Sequence, residues 1–155
     1  MISALRAEKA EEGLLSALLQ DYLAEMSAFY GLAPGEDGLF PYPYLPLYFT
    51  EPDRDAYFFR ADDTLCGFAL VNRVPFVDEP LDHALAEFMI LPAFRGSGIA
   101  ETCAGTLFAL SPGAWQLKFS PANPRAAAFW RRIGRDLSAR ETALPDNEIA
   151  ILFRI

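Results

Sequence analysis

Apolar residues recur every three or four positions from Leu14 to Tyr30: Leu14, Leu15, Leu18, Leu19, Tyr22, Leu23, Met26 and Tyr30. Glu8, Glu11, Glu12, Asp21 and Glu25 fall largely off that stripe, so the segment reads as one amphipathic helix, or two in sequence. Gly31 fits its stop, and residues 2–6 form a short strand ahead of it. Downstream the pattern changes to short β-prone runs. Residues 56–61 and 64–74 predict a hairpin turning at Asp62-Asp63, and 84–91 a third strand after the turn-forming segment 78–82. The chain leaves that strand at Pro92 and is helical from Gly98 to about Leu110. Pro112-Gly113 is a turn, 114–120 a strand, 121–124 a loop, and Arg125–Ile133 a helix stopped by Gly134. Residues 137–144 and 148–155 make a last hairpin. The order β-α-β-β-β-α-β-α-β-β predicts α/β layering on a mixed sheet.

Residues 31–54 fit neither period. Pro34, Pro41, Pro43, Pro46 and Pro52 alternate there with Phe40, Tyr42, Tyr44, Tyr48 and Phe49. Prolines this dense forbid a regular helix and disfavour a central strand. Long ordered loops are uncommon and are often functional. This one either plugs the core with its aromatics or walls a ligand pocket.

A chain of 155 residues, 52% hydrophobic and 14% aromatic, suits one domain over 1–155 and needs no disulfide or metal staple. Its net charge of −8 argues against nucleic acid as a partner. Residues 1–60 carry ten acids against four bases, so most of the excess lies there and leans toward neutral or cationic partners. Cys66 and Cys103 lack metal-ligand spacing and read as buried free thiols of a reducing compartment. Neither a secretory pattern nor a membrane-length apolar run is visible, so the expectation is a cytoplasmic protein that binds no membrane.

The most informative segment is Phe94-Arg95-Gly96-Ser97-Gly98-Ile99-Ala100, a turn between a strand and a helix. Its glycines allow a sharp turn and close approach to a ligand. The helix start presents unpaired N–H groups and a positive dipole end, an anion seat to which Arg95 adds charge. No GxxxxGK[ST] is present, and Glu101 stands where a dinucleotide fingerprint needs glycine.

Arg95-Gly96-Ser97-Gly98-Ile99-Ala100 resembles the Arg/Gln-x-x-Gly-x-Gly/Ala signature of the GNAT superfamily of acetyl-CoA-dependent N-acetyltransferases. Ile90-Leu91-Pro92-Ala93-Phe94 is similar to the family's lead-in. Asn123-Pro124-Arg125-Ala126-Ala127-Ala128-Phe129-Trp130 is similar to its Asn-x-x-Ala-x-x-Phe-Tyr pattern except at the last position. Tyr42-Pro43-Tyr44-Leu45, the segment 67–73 and Ala86-Glu87-Phe88 resemble a bacterial subgroup of predicted acetyltransferases. The resemblance implies a three-layer fold: a mixed central sheet of about six or seven strands with helices on both faces, splayed between the strands ending near 91 and 120.

It further implies acetyl-CoA as cosubstrate and no metal. The N–H groups of Gly96, Ser97, Gly98, Ile99 and Ala100 would hold the pyrophosphate, with Arg95 in support. The backbone of Ile90 and Leu91 would pair with the pantetheine arm, and an N–H near Leu91 would polarise the thioester carbonyl. Asn123 would hydrogen-bond the arm, or serve as a helix N-cap, or both. Phe129 would pack beside it. The implied reaction is direct attack by a primary amine of a small cationic or neutral acceptor, and a homodimer is compatible with the resemblance.

Glu87 is the leading base, because a lone carboxylate in an apolar strand has its pKa pushed up by desolvation. The family often places a base eight residues before the equivalent of Arg95. Strict alternation puts Glu87 on one face with Leu85 and Met89, and His83 with them as a second base or relay. His83 alternatively belongs to the turn that enters the strand. Many family members carry a tyrosine, thought to protonate the leaving thiolate, where this chain has Trp130. Arg125, Arg131 and Arg132 either reach the phosphates or form a solvated helix face. Two alternatives remain: a CoA-binding regulatory or interaction module weak in catalysis, and an enzyme that uses longer acyl groups or acetylates protein termini or lysines.

Overall fold

The structure, a computed structural model, describes residues 1–155. Its elements follow the predicted order: β1 (Ile2–Arg6), α1 (Glu12–Tyr30), β2 (Asp55–Ala61), β3 (Thr64–Asn72), β4 (His83–Ile90), α2 (Ile99–Leu110), β5 (Ala114–Phe119), α3 (Pro124–Asp136), β6 (Arg140–Ala143) and β7 (Ile149–Arg154). The seven strands form one sheet in the order β1-β2-β3-β4-β5-β7-β6. All neighbours are antiparallel except β4 and β5. These two pair only through His83–Trp115, Ala84–Gln116 and Leu85–Leu117. Beyond Leu85 the strands part, which makes the fork that the resemblance implies.

Side-chain periodicity decides the layers. Leu15, Leu19 and Leu23 fall on one face of α1, at every fourth residue, and bury against Phe58, Phe68, Leu70 and Met89. Each such leucine contributes about 2 kcal/mol by leaving water. On the other face α2 contributes Cys103, Ala104, Leu107 and Phe108, and α3 contributes Ala127, Trp130 and Ile133. Trp115, Phe108 and Phe153 form the aromatic centre of that layer, with ring centroids 4.9 to 6.4 Å apart. Cys66 and Cys103 are free and fully buried. Burial pushes the Cys103 thiol up to about 12, so it stays protonated at neutral pH.

The proline-rich segment is ordered by what it packs on. A 3-10 turn, Leu45–Phe49, drives Leu45 and Tyr48 into the α1-side core. The Asn72 side chain donates to the Tyr48 hydroxyl at 3.0 Å. The plug reading thus holds for this half of the loop.

Five sequence expectations differ in detail. β3 ends at Asn72, and β6 spans only Arg140–Ala143. Leu14 sits on the apolar stripe yet is 44% exposed. Gly134 does not stop α3: it lies inside the helix beside Ile151 and Ala139, and the chain turns at Ser138 with φ 53°. The fifth concerns alternation along β4. Leu70 opposes Glu87 while Val71 opposes Leu85, so Ala86 is an extra residue, a β-bulge. Leu85 therefore packs with the α2–α3 layer, whereas Ala86 and Met89 pack with the α1 layer.

Gly67 on β3 lies opposite Ile90, where β4 reaches the fork. A Cβ there would stand 2.3 Å from the Met89 carbonyl oxygen. Gly67→Ala should cost about 1–3 kcal/mol in urea unfolding, as backbone must shift. Gly105→Ala on α2, where a Cβ meets nothing within 4 Å, should instead stabilise by about 0.5–1 kcal/mol.

Candidate active site

The fork opens into a cleft of about 540 Å³ between α1, the end of β4, the glycine turn and α3. Tyr22, Glu25, Met26 and Phe29 face it from one side of α1. Phe88, Phe129 and Trp130 form its aromatic floor, with Phe88 stacked on Phe129 at 5.9 Å and edge-on to Trp130 at 5.1 Å.

At its rim the turn takes up the conformation that its glycines allow. Gly96 and Gly98 have φ of 85° and 79°, a left-handed backbone that other residues rarely adopt. Gly98 caps α2 without any side-chain acceptor. From Gly96 through Glu101 no backbone N–H finds a partner within the protein. This run of donors at a helix start is an anion seat. Arg125 lines the same cleft, exposed and outside every ion pair. Arg132 pairs with Glu101, and Arg131 pairs with Glu141 at 3.2 Å.

Arg95 is placed otherwise than the resemblance implies. Its Nε donates to the Ile90 carbonyl at 2.7 Å, and its Nη2 to Glu25 at 3.0 Å. Ile90 ends β4 beside the fork, where its carbonyl lacks a strand partner, and the guanidinium supplies one. Arg95 thus ties β4 to α1 rather than adding a free cation to the turn. The Ser97 hydroxyl donates to the Phe94 carbonyl at 3.1 Å, which leaves its backbone N–H free.

Leu91 is also corrected. Its N–H donates to the Cys66 carbonyl at 2.8 Å and is spent on β3. In an antiparallel ladder the outward and inward groups alternate. Phe88 and Ile90 therefore turn their N–H groups away from β3, toward the fork. Asn123 caps α3, its Oδ1 accepting from the Ala126 N–H at 3.2 Å, and it lines the cleft as well. The Trp130 indole makes no hydrogen bond, and no buried side-chain polar atom lacks a partner, so its N–H reaches the cleft.

The bulge separates the two residues expected on one face. Glu87 turns to the α1 layer, where the Tyr42 hydroxyl donates to its Oε1 at 3.4 Å. His83 lies on the opposite face, its ring 4.7 Å from that of Trp115. It therefore forms no relay with Glu87. Desolvation pushes the Glu87 carboxyl up to about 7, against the opposing pull of the Tyr22 and Tyr42 hydroxyls and of Lys118. Lys118 is the first residue of β5 past the last parallel pair, and it is held by Glu148 at 3.0 Å. Sequence reasoning missed Tyr22, absorbed in the helix stripe, and placed Tyr42 only as a core plug or a pocket wall. Nowhere do three or more His, Cys, Asp or Glu side chains gather to hold a metal, and no helix is long and apolar enough to cross a membrane.

A carboxyl raised from 4.5 to about 7 favours the folded state while protonated. That contribution is full below about pH 4.5 and is lost as pH rises through about 7. Glu87→Gln should therefore match wild type in thermal stability at low pH and exceed it above pH 7, by on the order of 1–3 kcal/mol.

Comparison with known proteins places these features. A family model described as acetyltransferase (GNAT) family matches residues 15–134. No curated protein matches the chain in sequence. Among solved structures, one described as histone acetyltransferase HPA2 and related acetyltransferase from Corynebacterium glutamicum superposes with a TM-score of 0.72 at 17% identity, over 99% of this chain and 96% of that one. Diaminobutyrate acetyltransferase EctA from Paenibacillus lautus, in complex with L-2,4-diaminobutyric acid and coenzyme A, gives 0.64 at 16% identity over 99% and 95%. An aminoglycoside acetyltransferase bound to coenzyme A and kanamycin gives 0.70 at 12% identity over 99% and 95%. At such identities the structures share the fold, while the family match spans most of the sequence, glycine turn and last motif included. The chain belongs to the acetyltransferase (GNAT) family.

Proposed function

We infer that the protein transfers an acetyl group from acetyl-CoA to a primary amine of a small, cationic or neutral acceptor. One conjunction carries this reading: the unpartnered N–H run of Gly96–Glu101 borders the cleft, and a desolvated carboxylate, Glu87, stands on β4 just past the last parallel pair, beside Tyr22, which lines that cleft. Acetyl-CoA supplies the electrophile, an acetyl thioester. The N–H groups of Gly96 to Ala100 fit its pyrophosphate, and Arg125 fits a further phosphate. The outward N–H groups of Phe88 and Ile90 fit the pantetheine amides and the thioester oxygen. Phe129 and Asn123 flank the same path.

Glu87 takes the proton. An ammonium cannot attack, and a base with pKa near the working pH removes its proton with least loss. The nucleophilic nitrogen then adds to the thioester carbonyl, a C–N bond forms, the C–S bond breaks, and the nitrogen's second proton is lost to water or to the departing thiolate. The thiolate leaves with little assistance, since a thiol pKa is about 8.5. Trp130 offers only a neutral N–H donor there. That residue favours a second reading, a CoA-binding module weak in catalysis, which the placement of Glu87 argues against. Small amines bound by two structural relatives, and the acidic first sixty residues, support a small amine as acceptor.

Titration calorimetry with acetyl-CoA should show binding that Gly98→Glu abolishes and Arg125→Ala weakens about tenfold; unchanged affinity in Gly98→Glu would reject the seat. In a thiol-release assay over a panel of amines, Glu87→Gln should lower kcat by about 10² or more. Wild-type activity should rise with pH through about 7, as Glu87 ionises, and the variant should lose that limb. No turnover above slow hydrolysis across the panel would favour the module.

A further inference from the structure

Residues 31–44 have no regular secondary structure, yet they deliver one hydroxyl to the carboxylate of Glu87. That residue, Tyr42, is held from several sides. Pro41 and Pro43 flank it and fix the backbone on both sides. Its ring meets that of Tyr44 edge-on at 6.1 Å. Two residues earlier Gln20 of α1 grips Phe40 by both backbone groups: Phe40 N–H donates to Gln20 Oε1 at 2.8 Å, and Gln20 Nε2 donates to the Phe40 carbonyl at 2.9 Å. Around this latch a second cleft of about 400 Å³, lined by Ser16, Leu39 and Tyr42 among others, opens between the loop and α1. Beside that cleft Phe40 and Tyr42 pack against the α1-side core, and the two Gln20 bonds fix the backbone between them.

The groups that act on Glu87 come from three elements: Tyr22 and Tyr30 of α1, Tyr42 and Tyr48 of the loop, and Lys118 of β5. Of these Tyr22, Tyr42 and Lys118 favour its ionised form. Lys118 is already engaged by Glu148, and Tyr30 donates to the same Glu148 at 3.2 Å. Tyr48 takes the Asn72 amide. The tyrosine hydroxyls are thus the donors that aim at the carboxylate, and Tyr42 is the one supplied by a loop rather than by the rigid helix.

We propose that Tyr42, set by the Gln20–Phe40 latch, is the positioning residue of Glu87, aiming Oε1 and holding the carboxylate in its ionised form. The proline–aromatic segment is then part of the proton-accepting apparatus and no mere wall. An O–H donor stabilises the anion more than the acid and opposes the desolvation that burial imposes. Its removal shifts the base toward the protonated form at neutral pH. The role of Glu87 in catalysis rests on the function inferred above, but its titration does not.

The test is a carbon-13 NMR titration of protein labelled at the glutamate carboxyl carbons, with Glu87→Gln assigning the resonance. The wild-type signal should titrate near pH 7. Tyr42→Phe should move the midpoint upward by half a unit or more, a roughly threefold or greater fall in the ratio of ionised to neutral base at neutral pH. Gln20→Ala, which retains every group facing Glu87 but frees the segment that carries Tyr42, should move it in the same direction, and the double variant should add little. An unmoved midpoint in Tyr42→Phe, with the fold intact by circular dichroism, overturns the proposal. If that variant fails to fold, an unmoved midpoint in Gln20→Ala does so. In turnover assays Tyr42→Phe should carry the acid limb of kcat/KM upward by the same amount. A limb that survives in Glu87→Gln removes the catalytic reading alone, and the titration still decides the place of Tyr42.

Discussion

β4 and β5 share parallel hydrogen bonds at three residue pairs and then separate. A sheet that parts in its middle leaves backbone donors and acceptors without strand partners, and such groups are costly unless satisfied or solvated. Much of the surrounding structure answers that problem. The Arg95 guanidinium takes the Ile90 carbonyl and, through Glu25, braces the open side against α1. Phe88, Phe129 and Trp130 line the gap with rings, which need few partners. What is left unpaired, the N–H groups that face the fork and those of the glycine turn, is where a polar ligand of extended shape fits.

The same parting sets the character of Glu87. It is the second residue after the last parallel pair, and a bulge at Ala86 rotates it onto the α1 face. Burial favours its neutral form, while tyrosine hydroxyls and a distant ammonium favour the anion. Neither side wins outright, and the carboxyl settles near neutrality. A fully apolar setting would keep it protonated, and a free surface position would leave it a weak base of ordinary acidity.

Element order was legible in the sequence because it depends on periods that only a long run of residues can create. The helix from Leu14 to Tyr30 and the alternation of β5 are of that kind. The glycine turn was legible because a left-handed backbone needs particular residues. The bulge was not, since one additional small residue, Ala86, leaves the apolar pattern of β4 intact while exchanging its faces. That single insertion parted His83 from Glu87. Leu91 was misjudged for a related reason: hydrogen-bond parity along a strand depends on register with its neighbour, which no single strand encodes. Arg95 and Tyr42 illustrate a third limit. Their partners lie seventy and forty-five residues away, at Glu25 and Glu87, and local spacing says nothing about such contacts.

The donors of the glycine turn belong to the main chain and carry no side-chain information. Replacing Ser97, Ile99 or Ala100 by other residues of similar shape leaves the N–H groups where they are. The groups around Glu87, in contrast, are side chains of a helix and an irregular loop, each replaceable one at a time. The molecule is therefore modular in substitution as well as in space. The loop and the inward face of α1 can be rewritten residue by residue while the backbone seat stays as it is.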